Sequence, residues 1–124
     1  MEKKLTKSEL EILTVLWSRG PSSVREVHEL LNSKRPTGYT TVLKLMQIMA
    51  EKGLVSRNED QRAHIYRPAV EEAATQKSLV EDLAERAFGG SAHRLALHAL
   101  GQRKSSPEEL QEIRKLLSRL EEEA

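Results

Sequence analysis

The chain of 124 residues contains no cysteine, and that absence removes several chemistries together. Disulfide staples, cysteine-based zinc sites, iron–sulfur clusters and a thiol nucleophile are all excluded. Aromatic residues make up 3% of the sequence, namely Trp17, Tyr39, Tyr66 and Phe88. That is too few for the stacking platforms on which single-strand binders hold bases. No run approaches the ~20 apolar residues that a spanning helix needs, so no direct membrane insertion is expected. Met1-Glu2-Lys3-Lys4-Leu5 leads straight into a charged amphipathic pattern, unlike a secretory signal, and the expected location is cytoplasmic.

Assembled chemistry is equally sparse. The four histidines are His28, His64, His93 and His98. They form no HExxH pair and no cluster with carboxylates at metal-ligand spacing. No GxSxG elbow and no phosphate-cradling glycine loop is present. The sequence therefore predicts no catalytic residue, no metal and no cofactor, and the chain is not expected to be an enzyme.

What the chain does have is charge, at 31% Asp, Glu, Lys and Arg, and the charge is divided unevenly. Residues 1–68 hold 12 basic against 8 acidic side chains, a net +4, while residues 69–124 hold 8 against 11, a net −3. A basic first half suits a polyanionic partner, and the acidic second half would be repelled by one.

Three helix starts share one signature, a Ser or Thr followed three residues later by Glu. Thr6 with Glu9, Ser23 with Glu26 and Ser106 with Glu109 each allow reciprocal capping, the last followed by Pro107 at the first helical position. The first helix is predicted over about Lys7–Arg19, with Leu10, Leu13, Leu16 and Trp17 on one stripe. Gly20-Pro21 ends it. The second runs from about Val24 to Ser33 and buries Val24, Val27, Leu30 and Leu31. After Arg35-Pro36-Thr37-Gly38 a third is expected over about Tyr39–Lys52, its core stripe Val42, Leu45, Met46 and Met49, with Gly53 as C-terminal cap.

The periodicity then changes. Leu54–Arg57 and Ala63–Arg67 read as strands joined by the polar loop Asn58-Glu59-Asp60-Gln61, with Pro68 ending the second. Three helices followed by a hairpin within 68 residues is the plan of a winged helix-turn-helix domain. From Ala69 onward the pattern is helical again: about Val70–Phe88, a break at Gly89-Gly90, then about Ala92–Leu100 and Pro107–Glu122. The last helix places Leu110, Ile113, Leu117 and Leu120 at coiled-coil seam intervals. The expected fold is mainly α with a small β-hairpin wing, a DNA-binding domain over 1–68 and a three-helix dimerisation domain over 69–124. So small a tail seldom buries enough apolar surface alone. Interlocking of two tails, through Val80, Leu83 and the seam, is the economical solution, with a tail folded onto its own head as the alternative.

In such a head the third helix enters the major groove. Its polar face carries Tyr39, Thr40, Thr41, Lys44 and Gln47, able to reach base edges and phosphates. The expected partner is double-stranded operator DNA. On the hairpin, Arg57 and Arg62 either clamp phosphates or pair with Glu59 and Asp60, and the sequence does not decide between these.

The chain resembles the penicillinase-repressor family (BlaI/MecI/CopY type) over nearly its full length. The likeness sits in Leu5-Thr6-Lys7-Ser8-Glu9-Leu10-Glu11-Ile12-Leu13 with Leu16-Trp17, in Tyr39-Thr40-Thr41-Val42, and in Glu51-Lys52-Gly53-Leu54-Val55. Arg62-Ala63-His64-Ile65-Tyr66-Arg67-Pro68 and Phe88-Gly89-Gly90-Ser91 complete it. The resemblance implies a homodimeric repressor and an inverted-repeat operator, with TACA/TGTA-like half-sites frequent. It also implies a membrane sensor-protease as partner, relieving repression by a cut in the C-terminal domain. Two departures stand out. The cysteine hook of copper-responsive members is missing, and the cleavage position matches His98-Ala99 rather than an Asn–Phe pair. The competing reading is a winged-helix protein–protein adapter without specific DNA binding.

Overall fold

The computed structural model describes residues 5–60 and 62–124. Gln61, in the expected hairpin loop, and Met1–Lys4, read above for signal character, lie outside the described residues. The chain forms two compact units, Met1–Thr75 and Gln76–Ala124.

The first unit opens with α1 (Lys7–Arg19), followed by β1 (Ser22–Ser23), α2 (Val24–Lys34), α3 (Tyr39–Lys52), β2 (Val55–Asn58) and β3 (Ile65–Pro68). Both expected capping boxes are made. The Thr6 hydroxyl accepts from the Glu9 amide at 3.1 Å and the Glu9 carboxylate from the Thr6 amide at 2.9 Å. Ser23 and Glu26 repeat the exchange at the start of α2. Helix α3 ends at Gly53, whose φ of +80° is the left-handed conformation that lets the Leu54 amide reach back to the Met49 carbonyl.

The core is built from Ile12, Leu13 and Leu16 of α1, Val24 and Val27 of α2, Val42, Met46 and Met49 of α3, and Val55 and Tyr66 of the sheet. Full burial of such side chains supplies about 1.5–3 kcal/mol each, which makes this cluster the main source of stability in the unit. Here the structure revises the sequence reading. Ile12 and Val15 are buried, while Leu10 and Trp17 of the predicted stripe are half-buried, because α1 is packed over a wider arc than one stripe. On α2 the predicted core residue Leu30 is exposed and Leu31 half-buried. On α3 Leu45 is half-buried at the edge of an otherwise correct stripe.

The wing is a three-stranded antiparallel sheet of order β1-β3-β2 rather than a lone hairpin. Ser22 pairs with Tyr66 and Ser23 with Ile65, while Asn58 opposite Ile65 closes the hairpin. The connection therefore runs over 59–64, longer than the expected four residues, with the strands starting and ending one or two residues later than expected.

Beyond the sheet, α4 spans Glu72–Ala87, starting later than Val70. The Ala69 amide donates to the Leu54 carbonyl, and the Trp17 indole donates to the Val70 carbonyl at 3.0 Å. Those long-range bonds hold 69–70 against the head instead of in a helical turn. The second unit holds the rest of α4, then α5 (Ala92–Gln102) and α6 (Pro107–Glu123). Gly89 and Gly90, at φ +59° and +85°, separate the first two. Ser106 and Glu109 make the third capping box. Among the described residues of this unit only Ala84 is buried.

Candidate nucleic-acid interface

Helix α3 is fixed from behind. Val42, Met46 and Met49 are fully buried, which sets the rotation of the helix about its axis and decides what the opposite side presents. Tyr39, Thr40, Thr41, Lys44 and Gln47 are all exposed. The five predicted residues thus share one accessible face. They offer hydroxyl donors and acceptors, an amide and one cation, the groups that read base edges and hold phosphates. Gly38, the N-cap residue, supplies no side-chain cap bond. The positive end of the α3 dipole lies beside Tyr39 and Thr40, with no side-chain hydrogen bond capping it.

The turn before α3 is tied down by polar side chains. His28 and Asn32 lie one helical turn apart on α2, and both reach Thr37. His28 Nε2 donates to the Thr37 carbonyl at 2.7 Å, and the Asn32 Oδ1 accepts from the Thr37 amide at 3.0 Å. The same imidazole meets the Tyr39 ring edge-on, with centroids 5.6 Å apart and planes at 81°. Arg35 in the turn is paired with Glu11 of α1 at 2.8 Å. The sequence analysis finds no metal-ligand role for His28 and does not single out Asn32. Their spacing of four residues before a Pro-Thr-Gly turn was the available signal.

On the wing, Arg57 lies against Glu59 at 2.5 Å. The Tyr66 hydroxyl and the Glu59 carboxylate beside it raise the Arg57 pKa further, so its guanidinium is held charged. Of the two readings left open for Arg57, the ion pair is the one made in this structure. Arg62, His64 and Arg67 are exposed. Behind the interface, Glu9 is buried at 1% exposure, and its carboxylate receives Lys52 Nζ at 2.6 Å.

In the second unit Val80, Leu83, Leu110, Leu117 and Leu120 are exposed, and Ile113 is half-buried. His98 and Ala99 lie on α5, both exposed, and the His98 ring packs on Phe88 at 5.7 Å. Among the described residues no helix is long and apolar enough to cross a membrane, and no group of three or more potential ligands could hold a metal ion.

Known proteins resemble this chain in sequence and in the fold of its first unit. The family described as "Penicillinase repressor" matches residues 5–119. The transcriptional regulator BlaI of Mycobacterium tuberculosis is 33% identical over 120 residues, covering 95% of this chain and 86% of that protein. The methicillin resistance regulatory protein MecI of Staphylococcus aureus is 20% identical over 116 residues, 94% of either chain. Among solved structures, the DNA-binding domain of the repressor BlaI superposes with a TM-score of 0.52 at 23% identity, over 59% of this chain and 92% of that one. The monomeric form of Bacillus licheniformis BlaI in complex with the blaP half-operator gives 0.50 at 21%, over 57% and 87%. These likenesses establish the winged-helix fold of the head.

Proposed function

This chain belongs to the penicillinase-repressor family, a family of transcriptional repressors and not of enzymes, and from that premise we propose that it is a homodimeric repressor of transcription acting on cytoplasmic DNA. The head, put at residues 1–68, reads an operator half-site through Tyr39, Thr40, Thr41, Lys44 and Gln47. Arg57 and Arg62 of the wing reach the flanking backbone. The tail, put at 69–124, joins two heads so that they bind an inverted repeat.

The observation that carries the reading is the exposed polar face of α3, held outward by a fully buried opposite side. A helix seated this rigidly presents the same donors to every duplex, and sequence discrimination requires that. The neighbour solved on a half-operator used the same head fold as a monomer. Arg57 would exchange Glu59 for a phosphate on binding, a small cost because the ion pair is accessible to solvent.

Dimerisation is supported by the tail itself. Leu110, Leu117 and Leu120 are 40%, 53% and 47% exposed on one chain, a row of large apolar side chains left about half open. A second tail supplies the cover. Release would follow from a cut near His98-Ala99 by a membrane sensor-protease. Helix α5 has no buried residue, so the local unwinding that a protease needs is cheap there. Loss of α6 then deletes the seam, and each freed head binds its half-site alone. The gain from linkage, about 10²–10⁴ in affinity, is lost with it.

Footprinting on the promoter of the protein's own gene and of neighbouring genes tests the reading. Protection of two half-sites related by a dyad is expected. A winged domain that only docks proteins would protect no DNA at concentrations below those of non-specific binding.

A further inference from the structure

The turn that launches α3 rests on little packing. An open cleft of about 280 Å³ lies beneath it, bounded by Ser8 and Ile12 of α1, Leu31 of α2, and Thr41 and Leu45 of α3. Apolar contact under residues 35–38 is therefore limited, and their placement depends on polar contacts as well. The Arg35–Glu11 pair is accessible to solvent on both sides and contributes little. The two bonds to Thr37 differ. They take both backbone polar groups of one residue, from two side chains on one face of α2. His28, which makes one of them, is half-buried.

We propose that His28 and Asn32 form a latch that positions the recognition helix: by gripping the carbonyl and the amide of Thr37, they set where Gly38 ends the turn and where Tyr39, Thr40 and Thr41 begin. They are positioning residues and touch no base. The T-shaped contact of His28 with Tyr39 extends the same control to the first side chain of the face. With the latch open, the turn gains alternative conformations, and Tyr39 to Thr41 no longer meet a base pair in one fixed register. The loss then falls on discrimination more than on general attraction to phosphate, which depends on charge. This inference rests on the DNA-binding reading above.

The test uses the full chain and two duplexes of equal length, one selected by the wild-type protein from a random pool and one scrambled. His28→Ala and Asn32→Ala are each expected to reduce the ratio of the two affinities about three- to tenfold, the worth of one net hydrogen bond. The double variant should lose less than the product, because both bonds act on Thr37. His28→Gln, whose amide nitrogen can replace Nε2 as donor, should recover most of the ratio. In the free protein, Asn32→Ala should speed exchange of the Thr37 amide proton. A ratio unchanged in His28→Ala and in the double variant, with the wild type discriminating, overturns the latch while leaving DNA binding intact. A ratio lost equally in His28→Gln, with unaltered thermal stability, overturns it too. A wild type that selects no sequence removes the DNA-binding reading, and the latch falls with it.

Discussion

Lys52, in the last turn of α3, places its Nζ 2.6 Å from the carboxylate of Glu9, which also closes the N-terminal capping box of α1. One acidic side chain thus joins the end of α3 to the start of α1. Glu9 is almost wholly buried, while a quarter of the Lys52 side chain remains accessible. Removing the cation should leave a buried charge with only Thr6 as partner. Lys52→Ala is expected to destabilise the protein by about 2–4 kcal/mol, a buried pair broken from one side with some relief from water. Glu9→Gln keeps the bond to the Thr6 amide and should cost less. Urea unfolding of both variants checks the order.

The same pair predicts a dependence on acid. Burial alone would raise the Glu9 carboxyl, but the Lys52 and Thr6 hydrogen bonds, with the Lys52 charge, outweigh it and hold the pKa below 4.5. A group depressed in the folded state binds its proton more readily when unfolded. Its contribution is therefore complete above pH 4.5 and is lost as pH falls below that value through the folded pKa. Glu26 and Glu109 are lowered in the same direction by their capping bonds to the Ser23 and Ser106 amides. Unfolding free energy measured from pH 6 to pH 3 should fall less steeply in Glu9→Gln than in the wild type. Parallel curves would show that Glu9 stays protonation-neutral on folding.

Much of this architecture is legible in the sequence, and the omissions have physical causes. The three Ser/Thr-to-Glu signatures mark helix starts because capping is local chemistry, complete within four residues. Helix α3 is read to its ends for the same reason, with Pro-Thr-Gly before it and Gly53 after. Strand β1 is invisible because two serines carry no alternation, and Ser22 pairs only through its distant partner Tyr66. Val70 reads as helical until Trp17, 53 residues away, takes its carbonyl. The face of α3 follows from its buried stripe, whereas the latch depends on side chains of α2 folding back on a turn. Periodicity does not report such bonds.

Two substitutions on α3 separate attraction from readout. Lys44→Ala should weaken binding to specific and random duplexes alike and lower the salt slope by about one phosphate's worth. Thr41→Ala should leave the slope and reduce discrimination. Fluorescence titrations between 50 and 200 mM salt, roughly the range over which such slopes are resolved, distinguish the two.

Leu117 is exposed on the single chain, so a charge there should leave the head folded and act on assembly. In a paired seam an unpartnered carboxylate costs several kcal/mol or so. Leu117→Glu is expected to sediment as a monomer with unchanged melting of the head. A wild type already monomeric at micromolar concentration would contradict the paired tail.

The most direct test compares the affinity of the full-length protein for the intact footprinted inverted repeat with its affinity for one half-site, at one salt concentration. A dimer reading DNA through two linked heads predicts that the intact site binds about 10²–10⁴ times more tightly. Equal affinity for the two duplexes would contradict the account.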